Sequence, residues 1–262
     1  MQTILILESN TPQIVDETRK CKKQTAADHY GAAIKANASD VHVRIAEPYR
    51  TPLSAVDLDG VDGVVFTGAG VTWSTDAAEA APLRVAGEMV FGAGIPTIGS
   101  CNGLQLAAVL LGGAVGPSPK GMEIGLARDI SLTPTGRMHP MMQGRRDVFC
   151  APCVHRDEVQ RLPEAAILVA DNAHSPVQAM VYLANGVDFW GMQYHPELPI
   201  AAIADYVQDK DSIFAQGQSM VDDLRAAACD TVAASRLGAM PQDLHYAART
   251  TEIANWLAYI QE

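Results

Sequence analysis

A cysteine sits between two glycines in Ile98-Gly99-Ser100-Cys101-Asn102-Gly103-Leu104-Gln105, with an apolar run before it and a helical run after it. This is the pattern of a nucleophile elbow with Cys in the position of Ser. A turn this tight crowds neighbouring Cβ atoms, so glycine is needed on both sides. The thiol would then project at the N-terminus of a helix, where the dipole and free N–H groups favour a thiolate. The N–H of Asn102 can point at a developing oxyanion. Taken alone, the pattern also fits a buried cysteine in an ordinary strand–turn–helix, because glycine is common in turns.

The second chemical segment is Gln193-Tyr194-His195-Pro196-Glu197, which follows the apolar run from Phe189. Cysteine chemistry needs a base to take the thiol proton and return it to a leaving amine, and that base needs a group to fix its tautomer. His195 and Glu197 fit these two roles. A His with an acid two residues on is by itself an ordinary surface pair. Here it stands at a strand end in a chain that also carries an elbow.

Together, the elbow and the Gln193–Glu197 segment resemble the class I glutamine amidotransferases, and most closely their free-standing, GMP-synthase-like branch. The resemblance runs over roughly residues 60–200 and includes Met122-Glu123-Ile124-Gly125 and His155-Arg156-Asp157-Glu158-Val159. It implies a flavodoxin-like, three-layer α/β sandwich with a mixed, mainly parallel central sheet. It implies that Cys101 attacks the side-chain amide of glutamine and forms a γ-glutamyl thioester, with His195 as base and then acid and Glu197 orienting it. Gln105 and His155 match positions that help hold the substrate. Gly68 and Ala69 lie in the loop whose backbone, with that of Asn102, would form the oxyanion hole.

The chain departs from the family pattern in two places. Ala69 and Gly70 stand where the family usually has Gly and Pro, which predicts an altered loop with its donors kept. Val154-His155-Arg156-Asp157 stands where many members have Ser-His-Gly-Asp, and Arg156 bears on the identity of the substrate. A γ-glutamyl hydrolase or peptidase on the same fold is the alternative reading. A non-enzymatic subunit is a further rival, opposed by the intact Cys101, His195 and Glu197. Neither enzymatic reading calls for a cofactor. No Walker-type loop is present. Roughly 60 residues after the catalytic region are too few for a synthetase domain. The ammonia would therefore go to a separate synthetase subunit, or the enzyme would simply hydrolyse an amide.

These residues must be positioned by a fold of 262 residues, 48% hydrophobic and 19% charged, with a formal net charge of −11. That length supports one sizeable core. The acidity makes nucleic acid a poor partner. No apolar run approaches roughly 18 residues, so no membrane span is expected. Five scattered cysteines argue for a reducing, cytoplasmic setting. Apolar runs at Thr3–Leu7, 41–46, 64–67 and 95–98 alternate with helical stretches, as in a parallel sheet. After Gly113, five β-like runs (124–132, 148–154, 166–169, 178–183 and 189–194) read as antiparallel additions. Residues 1–210 form the expected glutaminase domain and 211–262 a helical extension packed on it, with a last helix from Pro241 to near Ile260. In that extension Ile253, Trp256, Leu257 and Ile260 recur at helical spacing, as a packing face or as a docking face for a partner or second copy. Cys150, Cys153 and His155 resemble half a metal site, but core and turn roles explain them better. His174 reads as a loop residue that could line the cleft. Arg145-Arg146 and the basic run Arg19–Lys23 read as solvated faces.

Overall fold

The computed structural model describes residues 2–210 and 213–261. Met1, Asp211, Ser212 and Glu262, which include both ends of the expected extension, lie outside the described residues. Through residue 110 the strand and helix runs alternate as the sequence predicts. They are β1 Thr3–Leu7, α1 Pro12–Lys20, α2 Ala26–Asn37, β2 His42–Ala46, β3 Gly63–Phe66, α3 Ala81–Gly92, β4 Thr97–Ser100 and α4 Asn102–Leu110. Local chemistry sets several ends. Thr25 Oγ1 accepts the Asp28 N–H while Asp28 returns a bond to the Thr25 N–H, a capping box that fixes the start of α2.

The second half adds β5 Ala114–Pro117, β6 Glu123–Leu132, α5 Pro134–Met138, β7 Val148–His155, β8 Asp157–Arg161, β9 Ala166–Asp171, β10 Ala179–Ala184 and β11 Val187–Met192. Among the described residues, nine of the eleven strands form one sheet in the order β2-β1-β3-β4-β11-β10-β9-β6-β7. β2, β1, β3, β4 and β11 are mutually parallel, and β10, β9, β6 and β7 follow antiparallel. Seven of the nine therefore point one way, with only β10 and β6 reversed. One expectation needs correcting here. The run ending at Tyr194 is antiparallel to β10 but parallel to β4, so it completes the parallel half and brings its end beside the elbow.

Apolar side chains alternate across this sheet and build a core on each face. One core joins Ile6, Val65 and Trp190 to Tyr30 and Ile34 of α2. The other joins Leu7, Phe66 and Phe189 to Leu83 of α3 and Leu104 of α4. A third cluster covers β6 and β7 with α6 Ile200–Gln208, α7 Gln218–Ala226 and α8 Thr231–Arg236. No described helix is long and apolar enough to cross a membrane.

The last helix expected from Pro241 is broken into α9 Pro241–Leu244, α10 Tyr246–Arg249 and α11 Thr251–Tyr259. The breaks follow from where the segment must bind. Asp243 accepts from Arg146 and from the Cys150 N–H of β7, while Tyr246 donates to Ala33 of α2. His245 between them is extended, at φ −62° and ψ 143°, which separates α9 from α10. Ile253, Trp256 and Leu257 are buried in the first core, and Ile260 packs against it. A Cβ on Gly63 of β3 would lie 2.7 Å from Trp256 Cη2, which explains the glycine in that strand. Arg145 corrects another expectation. It is not solvated but buried, in a bidentate ion pair with Glu252 at 2.7 Å and over the Phe149 ring.

Candidate active site

The C-terminal ends of β1, β3, β4 and β11 are adjacent, and each delivers part of one site, the usual place for chemistry in a parallel sheet. From β4 comes Cys101. The strand continues to Ser100 and the helix begins at Asn102, so the turn is one residue long. Cys101 takes up that bend alone, at φ 50° and ψ −107°, a region non-glycine residues rarely occupy. Its N–H donates to the Met192 carbonyl of β11 at 2.8 Å.

The flanking glycines answer to close approach. A Cβ on Gly99 would lie 2.9 Å from the Gly103 carbonyl carbon, and one on Gly103 would lie 2.2 Å from the Phe66 carbonyl oxygen. Both obstacles are backbone, which cannot swing aside. Gly103→Ala is therefore expected to destabilise the fold by at least about 3 kcal/mol, read as a lowered denaturation midpoint at unchanged slope.

From β11 comes the expected base, His195. The following loop is pinned by Gln193 N–H to Gln178 O and by His195 N–H to Pro152 O, both at 2.8 Å. His195 Nδ1 lies 2.6 Å from Glu197 Oε1, which also accepts from Ser100 Oγ at 3.2 Å. Burial alone would hold the His195 ring neutral. The Glu197 carboxylate and the Cys101 side chain outweigh it and push the ring up to about 10. Among the described residues His195 Nε2, Glu197 Oε2 and Asn102 Oδ1 are buried without a hydrogen-bond partner, and all three belong to this site.

Residues outside the expected set brace the base. Tyr194 donates to Glu252 Oε1 at 2.8 Å, and the Arg249 guanidinium donates to the Pro196 carbonyl, so both neighbours of His195 are held by the C-terminal segment. Nothing in the sequence marks these long-range partners. Tyr30, fully buried in α2, feels the Glu197 charge, and burial with that charge raises its phenol well above the ordinary range.

From β3 comes the expected oxyanion loop. Gly68 is seated against the site, since a Cβ there would lie 2.7 Å from His195 Cε1 and 3.6 Å from Cys101 Cβ. Ala69 follows it directly. As the first residue of α4, Asn102 has no intrahelical acceptor for its N–H. The amide of Gly70, at the position where the resemblance led to Pro, is used: it donates to Asn10 Oδ1 at 2.8 Å.

The remaining expected residues are near but engaged with protein. Gln105 donates through Nε2 to the Asp157 carbonyl at 2.6 Å and to Gln193 Oε1 at 3.2 Å. His155 is buried, with its nitrogens 3.1 Å from the Asp157 carbonyl and 2.9 Å from Glu123 Oε2. Glu123 also accepts from Asn172 and Gln178. Burial opposes ionisation of Glu123, but the hydrogen bonds outweigh it and hold its carboxyl below the usual range. Arg156 is tied to Asp157 and to the Thr72 carbonyl, so its charge is already paired. Cys150 and Cys153 lie in different cores on opposite faces of β7, so they cannot form a two-cysteine ligand pair. Glu123, Cys153 and His155 do come together, with ligand atoms within 4.8 Å of one another, inside this hydrogen-bonded network. One strand beyond Val154, whose carbonyl is 3.8 Å from Cys101 Sγ, lies a cleft of about 770 Å³ lined by Glu123, Ile124, Arg128, His174 and Met220.

Comparison with known proteins was made against this geometry. The family model described as Glutamine amidotransferase class-I matches residues 25–205. A γ-glutamyl-L-1-hydroxyisopropylamide hydrolase from a Pseudomonas species is 33% identical over 203 residues, covering 74% of this chain and 67% of that protein. A glutamine-hydrolysing GMP synthase from Thiobacillus denitrificans is 35% identical over 147 residues, covering 52% of this chain but only 25% of the synthase. The chain thus matches about a quarter of that synthase's length. A solved glutamine amidotransferase from Methylobacillus flagellatus superposes with a TM-score of 0.65 over 98% of this chain and 95% of its own, at 19% identity, which supports the fold alone.

Proposed function

The chain belongs to the class I glutamine amidotransferase family, and from that premise we propose that it hydrolyses the side-chain amide of glutamine through a thioester on Cys101. The observation that carries this reading is Cys101 held at positive φ beside a His195 ring locked to Glu197 at 2.6 Å. Cys101 Sγ attacks the γ-carbonyl carbon as the thiolate whose proton the His195 ring has taken, and the oxyanion forms against the N–H groups of Asn102 and Ala69. His195 gives its proton to the departing nitrogen as the C–N bond breaks, leaving a γ-glutamyl thioester and ammonia. Water then attacks the thioester, its proton passes to His195, and the thiolate leaves glutamate. Ammonia released this way would serve a separate acceptor or synthetase chain.

A second reading takes γ-glutamyl amides of larger amines. The hydrolase relative, named for such an amide and matched over two-thirds of its length, favours it. The test begins with a diazo-ketone analogue of glutamine and intact mass. A single adduct on Cys101, suppressed by excess glutamine, together with glutamate release from glutamine, supports the first reading. A kcat/KM at least about tenfold higher on a γ-glutamyl hydroxyalkylamide supports the second. No adduct and no glutamate from either substrate sinks both.

A further inference from the structure

The loop that would supply the Ala69 donor is fixed on both sides of that residue. Thr67 Oγ1 accepts the Ser9 N–H at 2.9 Å and donates to the Gly68 carbonyl at 2.9 Å. Among the described residues every peptide is trans. In a trans peptide the C=O and N–H of one plane point in opposite directions. Holding the Gly68 oxygen therefore aims the Ala69 N–H, which belongs to the same plane. The next plane, from the Ala69 carbonyl to the Gly70 N–H, is held by the 2.8 Å bond from Gly70 to Asn10 Oδ1. Two anchored planes leave Ala69 little rotational freedom.

Asn10 is itself immobilised. Its Nδ2 and backbone N–H both donate to Glu8 Oε1, at 2.8 and 3.0 Å. Glu8 Oε2 accepts the Ala27 N–H in the first turn of α2 at 2.8 Å. Thr67, Glu8 and Asn10 are all buried. The end of β1 thus transmits a fixed reference, set by α2, to the loop after β3.

We infer that Thr67 and Asn10 are positioning residues that aim the Ala69 N–H at the oxyanion, with Glu8 setting Asn10. The inference rests on the proposed role of Ala69. The geometry separates orientation from mere packing, because the Thr67 hydroxyl is needed and its methyl is not. A donor misaimed by a fraction of an ångström weakens the transition state far more than substrate binding.

The test compares Thr67→Val, Thr67→Ser and Asn10→Ala in the full chain, with kcat and KM measured on glutamine and on a γ-glutamyl hydroxyalkylamide. Thr67→Val and Asn10→Ala are expected to lose about 10- to 100-fold in kcat, with KM within about threefold. Thr67→Ser, which keeps the hydroxyl, is expected to stay near the wild-type kcat. Hydrogen exchange of the 67–72 segment supplies a readout independent of turnover: the Gly70 amide is protected in the wild type and loses that protection in Asn10→Ala. Wild-type kcat in Thr67→Val, equal losses in Thr67→Val and Thr67→Ser, or an unprotected Gly70 amide in the wild type would each overturn the inference. Failure of the wild type on every γ-glutamyl amide would instead defeat the functional reading, with Gly70 exchange still deciding whether Asn10 holds the loop.

Discussion

Cys101→Ala is expected to reduce turnover by at least about four orders of magnitude while leaving the fold intact. No second nucleophile can substitute. Cys150 and Cys153 are buried in β7, and burial pushes their thiols up, to about 12 for Cys150 and well above the ordinary range for Cys153. Without the thiol, donors and base remain, but the covalent route is gone. The change removes the Sγ contacts with the Val154 carbonyl, at 3.8 Å, and with the His195 ring, and leaves the buried backbone turn in place. Alanine also inherits the φ of 50°, so the backbone strain stays. Glycine does not feel that strain. Cys101→Gly should be equally inactive and about 1 kcal/mol more stable than Cys101→Ala. Glutamate release and chemical denaturation of the pair check this, and near wild-type turnover in either variant would refute the assignment of Cys101.

Glu197→Gln is the second large effect, a fall of about 10³- to 10⁴-fold in kcat/KM on either amide. The replacement is nearly isosteric but removes the charge that holds the His195 ring against the pull of burial. The ring then titrates lower, so the proton needed by the leaving nitrogen is lost at lower pH. The alkaline limb of kcat/KM should move down from near 10. The same pair links folding to pH. The folded His195 ring titrates above the ordinary histidine value of about 6.5, so its contribution is complete below 6.5 and is lost as pH rises toward about 10. The stability deficit of Glu197→Gln should therefore be widest on the acid side and close above pH 10. An unmoved alkaline limb, or a deficit that widens with pH, would contradict the role given to Glu197.

What was legible in the sequence was what local chemistry forces. Gly99 and Gly103 announce the elbow because no other residue fits against Gly103 and Phe66. His195 and Glu197 stand out because one short loop must hold both. The alternation before residue 110 gives the parallel strands, whose backs are covered on both faces. Long-range partnerships were hidden. Gln105 meets Asp157 across 52 residues and Tyr194 meets Glu252 across 58, and no periodicity records either. The small pair β5 and β8 was hidden too, because its strands lie 39 residues apart and β8 carries the charged Asp157, Glu158 and Arg161. Arg145 looked solvated because a guanidinium is costly to bury until a bidentate carboxylate such as Glu252 is supplied from elsewhere in the chain.

Arg249 and Glu252 hold the two neighbours of His195, yet they lie well beyond residue 205, where the family match ends. During synthesis on the ribosome, Cys101, His195 and Glu197 emerge well before these two braces. Translation that stops short of Arg249 would leave Cys101, His195 and Glu197 without either bond, so the neighbours of His195 are held only once the chain has been made as far as Glu252.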